Sequence, residues 1–130
     1  MEKEKWLEFC QVSGIDWETT LNRFMDNESL YEKILCKFPD DPSFRNLKDA
    51  LEAGNLSDAF IYAHTLKGLA GNLGLQRLFE LLLPFTEELR SGNAQHSARY
   101  LLELETHCEA LGEAIGKLGA ESPADSGKRE

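Results

Sequence analysis

An all-α fold, an up-and-down antiparallel four-helix bundle with additional short N-terminal helices, is what this sequence predicts, on three observations. Apolar residues recur at three- and four-residue intervals through most of the chain, no run alternates strictly enough for a confident strand, and capping residues divide the periodic stretches. Long helices joined by short turns pack as antiparallel neighbours. At 130 residues, with 42% hydrophobic and 28% charged side chains, the chain has the size of one domain that can bury a core without disulfides or metal.

The elements follow in order. Residues 2 to 12 carry Trp6, Leu7, Phe9 and Cys10 on a short amphipathic segment closed by Ser13-Gly14. Asp16 is an N-cap for a second helix whose apolar side is Trp17, Leu21, Phe24 and Met25, and Asn27 restarts the chain into Leu30, Tyr31, Ile34, Leu35 and Phe38. Pro39-Asp40-Asp41-Pro42 breaks it, with Asp41 and Pro42 as N-cap and first turn of a helix over 42 to 54. Gly54 ends that helix, and Asn55 with Asp58 resembles a capping box opening the next, over 56 to 74. A third bundle helix spans 75 to 92 through Leu75, Leu78, Phe79, Leu82, Phe85 and Leu89, with Pro84 expected to kink it. Ser91-Gly92-Asn93 stops it, and the last helix runs over 94 to 118 with Tyr100, Leu101, Leu104, Cys108, Leu111 and Ile115 inward. The domain is thus residues 1 to 119, and residues 120 to 130, which lack apolar anchors, are expected to form a flexible C-terminal tail.

Composition narrows the function. A net charge of −9 argues against a nucleic-acid module, whose phosphate contacts need clustered Lys and Arg, and favours a protein partner. No segment is long and apolar enough to span a membrane, and the charged start Met1-Glu2-Lys3-Glu4-Lys5 does not read as a signal peptide, so a cytoplasmic location is expected. Cys10, Cys36 and Cys108 lack zinc-type spacing and read as buried free thiols. His96, His107 and Cys108 are too far apart along one straight helix to converge on an ion, so no metal site is expected.

The most informative stretch is Ala63-His64-Thr65-Leu66-Lys67-Gly68-Leu69-Ala70-Gly71-Asn72-Leu73-Gly74. Wound at about 100° per residue, it puts Ala59, Tyr62, Leu66, Leu69 and Leu73 on one side and His64 nearly opposite, facing water. Phe60 and Ile61 lie one turn before the histidine, Lys67 and Gly68 one turn after, and Gly71 two turns after. Glycine within a helix costs roughly 1 kcal/mol relative to alanine. Two glycines beside an exposed histidine therefore suggest that something comes close there, and tight helix packing is the structural alternative. A neutral imidazole nitrogen is a nucleophile near neutral pH without a dedicated base. Lys67 can compensate charge on a transferring phosphoryl group, a reaction in which catalysis is mainly positioning and electrostatics. Phe60 and Ile61 read as a small apolar docking surface.

His64, Leu66, Lys67, Gly68, Ala70 and Gly74, in this spacing and helical phase, resemble the histidine-containing phosphotransfer (HPt) domain family, and the resemblance covers roughly residues 12 to 118. It implies a four-helix bundle and a phosphocarrier in a two-component multistep phosphorelay. In that role His64 accepts a phosphoryl group from a receiver-domain aspartyl phosphate and passes it to another receiver. Partners implied are response-regulator receiver domains and a hybrid sensor histidine kinase. No cofactor is expected on this chain, the receiver bringing Mg²⁺. The chain has no nucleotide-cradling glycine loop and no kinase signature, so ATP-dependent kinase activity of its own is not expected. Many family members carry a glutamine on the following helix that orients the imidazole; here that region reads Leu83-Pro84-Phe85-Thr86-Glu87-Glu88, leaving Thr86 or Glu87 as the possible orienting residue. A non-catalytic helical adaptor that binds receivers or other signalling proteins is the alternative.

Overall fold

A computed structural model describes residues 3–120. Its elements are α1 (Lys3–Ser13), α2 (Trp17–Arg23), α3 (Glu28–Leu35), a 3₁₀ turn (Phe38–Asp40), α4 (Ser43–Glu52), α5 (Leu56–Leu73), α6 (Gln76–Arg90) and α7 (Ser97–Ala120). Among the described residues there is no strand. The expected tail lies outside them, except that the backbone of Ala120 closes α7.

The caps form largely where the sequence places them, because each is a contact within a few residues. Asp16 accepts from the Thr19 N–H, Asn27 from the Leu30 N–H and Asn55 from the Asp58 N–H, satisfying donors that a helix start leaves unpaired. α4 begins one residue later than expected, at Ser43, whose N–H is held by Asp41 Oδ1 at 2.9 Å. α7 begins at Ser97 rather than Ala94. Asn93 Oδ1 takes the Gln95 N–H at 2.8 Å and Glu88 takes the His96 N–H at 2.9 Å, so both carboxamide and carboxylate hold the chain in a turn before the helix can start. α6 runs unbroken through Pro84.

α5 packs between α4 and α6, α6 packs on α7, and α1 lies against α7 and α6. Lys48 of α4 reaches Glu105 of α7 at 3.1 Å, and Lys117 of α7 holds Glu8 of α1 at 2.9 Å. The core is Leu47 and Ala50 of α4, the Ala59–Ala63–Leu66–Ala70–Leu73 line of α5, Leu78, Leu82, Phe85 and Leu89 of α6, and Leu104, Leu111, Ala114, Ile115 and Leu118 of α7. The inward face of α5 is therefore rotated from the expected stripe: Tyr62 and Leu69 are half-buried at its margins, and Ala63 and Ala70 take the centre. Small side chains there let α4 and α6 approach from both sides.

The short N-terminal helices are locked to the far end of α5. Trp6, Trp17, Tyr31 and Phe24 form a chain of edge-on ring contacts with centroids 4.9 to 5.2 Å apart. Tyr31 is fully buried and donates its hydroxyl to the Leu73 carbonyl at 2.6 Å. Arg23 donates to the Gly71 carbonyl at 2.7 Å and to that of Asn72 at 3.3 Å. Three of the carbonyls that a helix C-terminus leaves open are thereby satisfied, and the motif helix is clamped at one end.

Candidate functional site

His64 projects from the middle of α5 and is exposed, as its helical phase requires. No hydrogen bond to its ring exists among the described residues. Its aromatic partner is Phe60, one turn earlier, whose ring lies 5.8 Å away centroid to centroid with the planes 24° apart, a stacked pair. Phe60 is half-buried, because the Arg90 guanidinium from the end of α6 covers it at 4.9 Å from the ring centroid. Glu87 steadies Arg90, accepting from Nε at 3.2 Å. Leu56, Ser57, Phe60, Leu89, Arg90 and Gly92 line a small cleft of about 230 Å³ at this point.

Lys67 is partly exposed and makes no ion pair among the described residues, which leaves its ammonium available beside His64. Gly68 is exposed, and a Cβ built on it would meet nothing within 4 Å. Gly71 differs. It is half-buried, and a Cβ there would touch the Phe79 ring of α6 at 3.5 Å, an ordinary packing distance. The expectation that both glycines leave room for a partner is thus corrected for Gly71: it sits in the seam between α5 and α6. Ile61 is 55% exposed on the other flank of His64. Antiparallel register, set by Gly71 against Phe79 and Phe60 beneath Arg90, brings Leu83, also exposed, level with Lys67.

Neither residue expected to orient the imidazole bonds to it. Thr86 is fully buried and its hydroxyl has no partner, and Glu87 is committed to Arg90. Residue spacing matched Thr86 to the level of His64, but α6 turns that position into the core rather than toward α5's outer face.

The other histidines are occupied elsewhere. His96 Nδ1 meets Glu88 Oε1 at 2.7 Å. Burial alone would push the Glu88 carboxyl up, but hydrogen bonds from the His96 ring and backbone outweigh it and hold Glu88 below its ordinary range. His107 has its Nε2 buried without a partner, and burial, helped by the Arg77 charge, holds its pKa below the usual histidine value. The unfolded chain takes up that proton in the ordinary range near 6.5 and the folded chain only at lower pH. His107 therefore subtracts no stability above that range and subtracts progressively as pH falls below it. Melting curves from pH 7.5 to 5.5 should show a steeper decline for the native chain than for His107→Leu; parallel curves would contradict this. No group of three His, Cys, Asp or Glu side chains among the described residues is placed to hold a metal ion. A cleft of about 480 Å³ between the 3₁₀ turn, α4 and α7 is lined in part by Leu66, on the opposite side of α5 from His64.

The family model of the Hpt domain matches residues 41–114, which takes in α4, α5, α6 and most of α7 with the histidine patch at its centre. The chain belongs to the Hpt domain family. No curated protein and no solved structure matches it. As an Hpt domain it serves phosphotransfer in a two-component phosphorelay, a system in which Hpt domains interact with receiver domains and kinases. None of its helices is long and apolar enough to cross a membrane, among the described residues. The matched segment excludes α1 to α3, so Arg23 and Tyr31, which clamp the end of α5, come from outside it. Arg90 lies inside the match but was not legible in the motif. It reaches the site only through the antiparallel pairing of α5 and α6.

Proposed function

We propose that this Hpt domain is the histidine phosphocarrier of a multistep relay, with His64 as the acceptor of a phosphoryl group from a receiver-domain aspartyl phosphate. The carrying observation is an exposed imidazole on a clamped helix, with an unpaired lysine and an open glycine one turn away. In the transfer, a His64 nitrogen forms a P–N bond while the P–O bond to the receiver's carboxylate breaks, the carboxylate leaving with the electron pair. The reverse step returns the group to a second receiver. Lys67 compensates charge on the phosphoryl oxygens, and the receiver brings Mg²⁺. Ile61 and Leu83 give the partner exposed apolar contacts beside His64, with Phe60 at their edge. A response regulator and a hybrid sensor histidine kinase are the partners that fit this role. The cytoplasm suits it, since Cys10, Cys36 and Cys108, half-buried rather than buried as expected, form no disulfide.

Incubation with a phosphorylated receiver tests the reading: acid-labile phosphate should pass to this chain, and its absence would leave an adaptor that binds without transfer. Gly68→Gln tests the open position. A good helix former replaces a poor one where nothing lies within 4 Å of the new Cβ, so stability should hold or rise by up to about 1 kcal/mol. Transfer from the receiver should fall, because the new side chain stands where the aspartyl phosphate approaches. A stable variant with normal transfer would count against Gly68 as clearance.

A further inference from the structure

We infer, resting on the reading of His64 as phosphoryl acceptor, that Phe60 is the positioning residue for its imidazole and that Arg90 braces Phe60 in that task. An exposed histidine ring with no hydrogen bond would sample several rotamers, and transfer depends on holding the nucleophile in line with phosphorus. Here the stacked Phe60 ring, 5.8 Å away and 24° from coplanar, is the one aromatic partner of the imidazole among the described residues. Stacking acts on the ring face, so it sets the plane of the imidazole without engaging either nitrogen. A hydrogen bond would instead engage one nitrogen. Thr86 and Glu87, the residues at the level where a hydrogen-bonding partner would come from, are turned into the core and tied to Arg90 respectively.

The platform is itself fixed. Phe60 stands on the α6 flank of α5, and the Arg90 guanidinium lies 4.9 Å from its ring centroid, held by Glu87 at 3.2 Å. A planar cation on an aromatic face restrains the ring and fills the cleft that would otherwise let it rotate. The chain Glu87, Arg90, Phe60, His64 thus carries rigidity from the last turn of α6 to the nucleophile through one ion pair and two face contacts.

Phe60 could also touch a docking receiver, so the test uses saturating receiver to remove differences in docking and a small free donor to check that His64 stays reactive. Potassium phosphoramidate labels an imidazole directly: the P–N bond to His64 forms as the P–N bond to the amino group breaks, and ammonia leaves with the proton. In the native chain the His64 ring protons should resonate upfield of their denatured positions, shifted by the Phe60 ring current. Phe60→Leu should lose that shift and, at saturating receiver, take phosphoryl about ten- to hundredfold more slowly while phosphoramidate still labels it, and Phe60→Tyr, which keeps the ring, should restore both the shift and the rate. A native spectrum with no upfield shift overturns the inference whether or not the leucine variant folds. So does transfer at the native rate, from saturating receiver, to a folded Phe60→Leu. If the native chain takes phosphoryl from neither phosphoramidate nor a receiver, the acceptor reading fails, while the ring-current comparison still decides the stacking.

Discussion

His64→Gln should carry no phosphate after incubation with a phosphorylated receiver, while its helical circular dichroism and melting curve match those of the native chain. Glutamine keeps a polar side chain of similar reach, but its amide nitrogen has no lone pair available for attack on phosphorus. The side chain is exposed, stacks on Phe60 and makes no hydrogen bond among the described residues, so the change in stability should stay within about 0.5 kcal/mol. Neither remaining histidine can take over. His96 has Nδ1 engaged by Glu88 at 2.7 Å and has no lysine one turn on, and His107 has its Nε2 sealed in the interior. Persistent labelling of His64→Gln, with loss in His96→Gln or His107→Gln, would move the acceptor to another residue.

Gly74→Ala should produce the largest loss of stability of any single methyl added to the motif. Gly74 ends α5 with φ of +72°, in the left-handed region, where an L side chain costs roughly 1 to 2 kcal/mol. Space is lacking as well. A Cβ there would collide with the Thr20 hydroxyl and come within 2.9 Å of Ile15 Cγ1. Thr20 is buried, and forcing atoms into a filled interior costs typically 1 to 3 kcal/mol. The two effects together come to about 2 to 5 kcal/mol, which for a domain of this size lowers the melting temperature by roughly 10 °C or more. Thermal and urea unfolding of Gly74→Ala beside Gly68→Gln gives a direct contrast between two glycines six residues apart. An unchanged melting temperature for Gly74→Ala would mean that the turn from α5 to α6 is not built as described.

Several features of the site depend on contacts that span at most one or two turns, and these were readable in the chain itself. The Asn55 cap, the outward phase of His64 and the placing of Phe60 and Lys67 one turn to either side all follow from the helix repeat and from backbone donors seeking a partner within three residues. The rotation of α5 was less legible. The expected stripe of Ala59, Tyr62, Leu66, Leu69 and Leu73 left out Ala63 and Ala70, whereas packing against two neighbouring helices buries these small residues, where backbones can approach, and leaves Tyr62 and Leu69 at the margins. Thr86 shows the same limit from the other side: its distance along the chain suited a partner for His64, but its direction was set by which face of α6 had to be buried.

The sequence by itself determined that the chain is helical, where most helices start, that its motif is that of an Hpt domain and that His64 faces water. These are consequences of periodicity and capping, interactions between residues near one another in the chain. Only the tertiary structure decided that Gly71 meets Phe79 while Gly68 stays open, that Arg23 and Tyr31 clamp the end of the motif helix, and that Arg90 covers Phe60 beside His64. Each of those contacts joins residues on different helices. Their partners depend on the register and rotation at which the helices settle, and that is fixed by the joint fit of side chains from several elements, which no local pattern encodes.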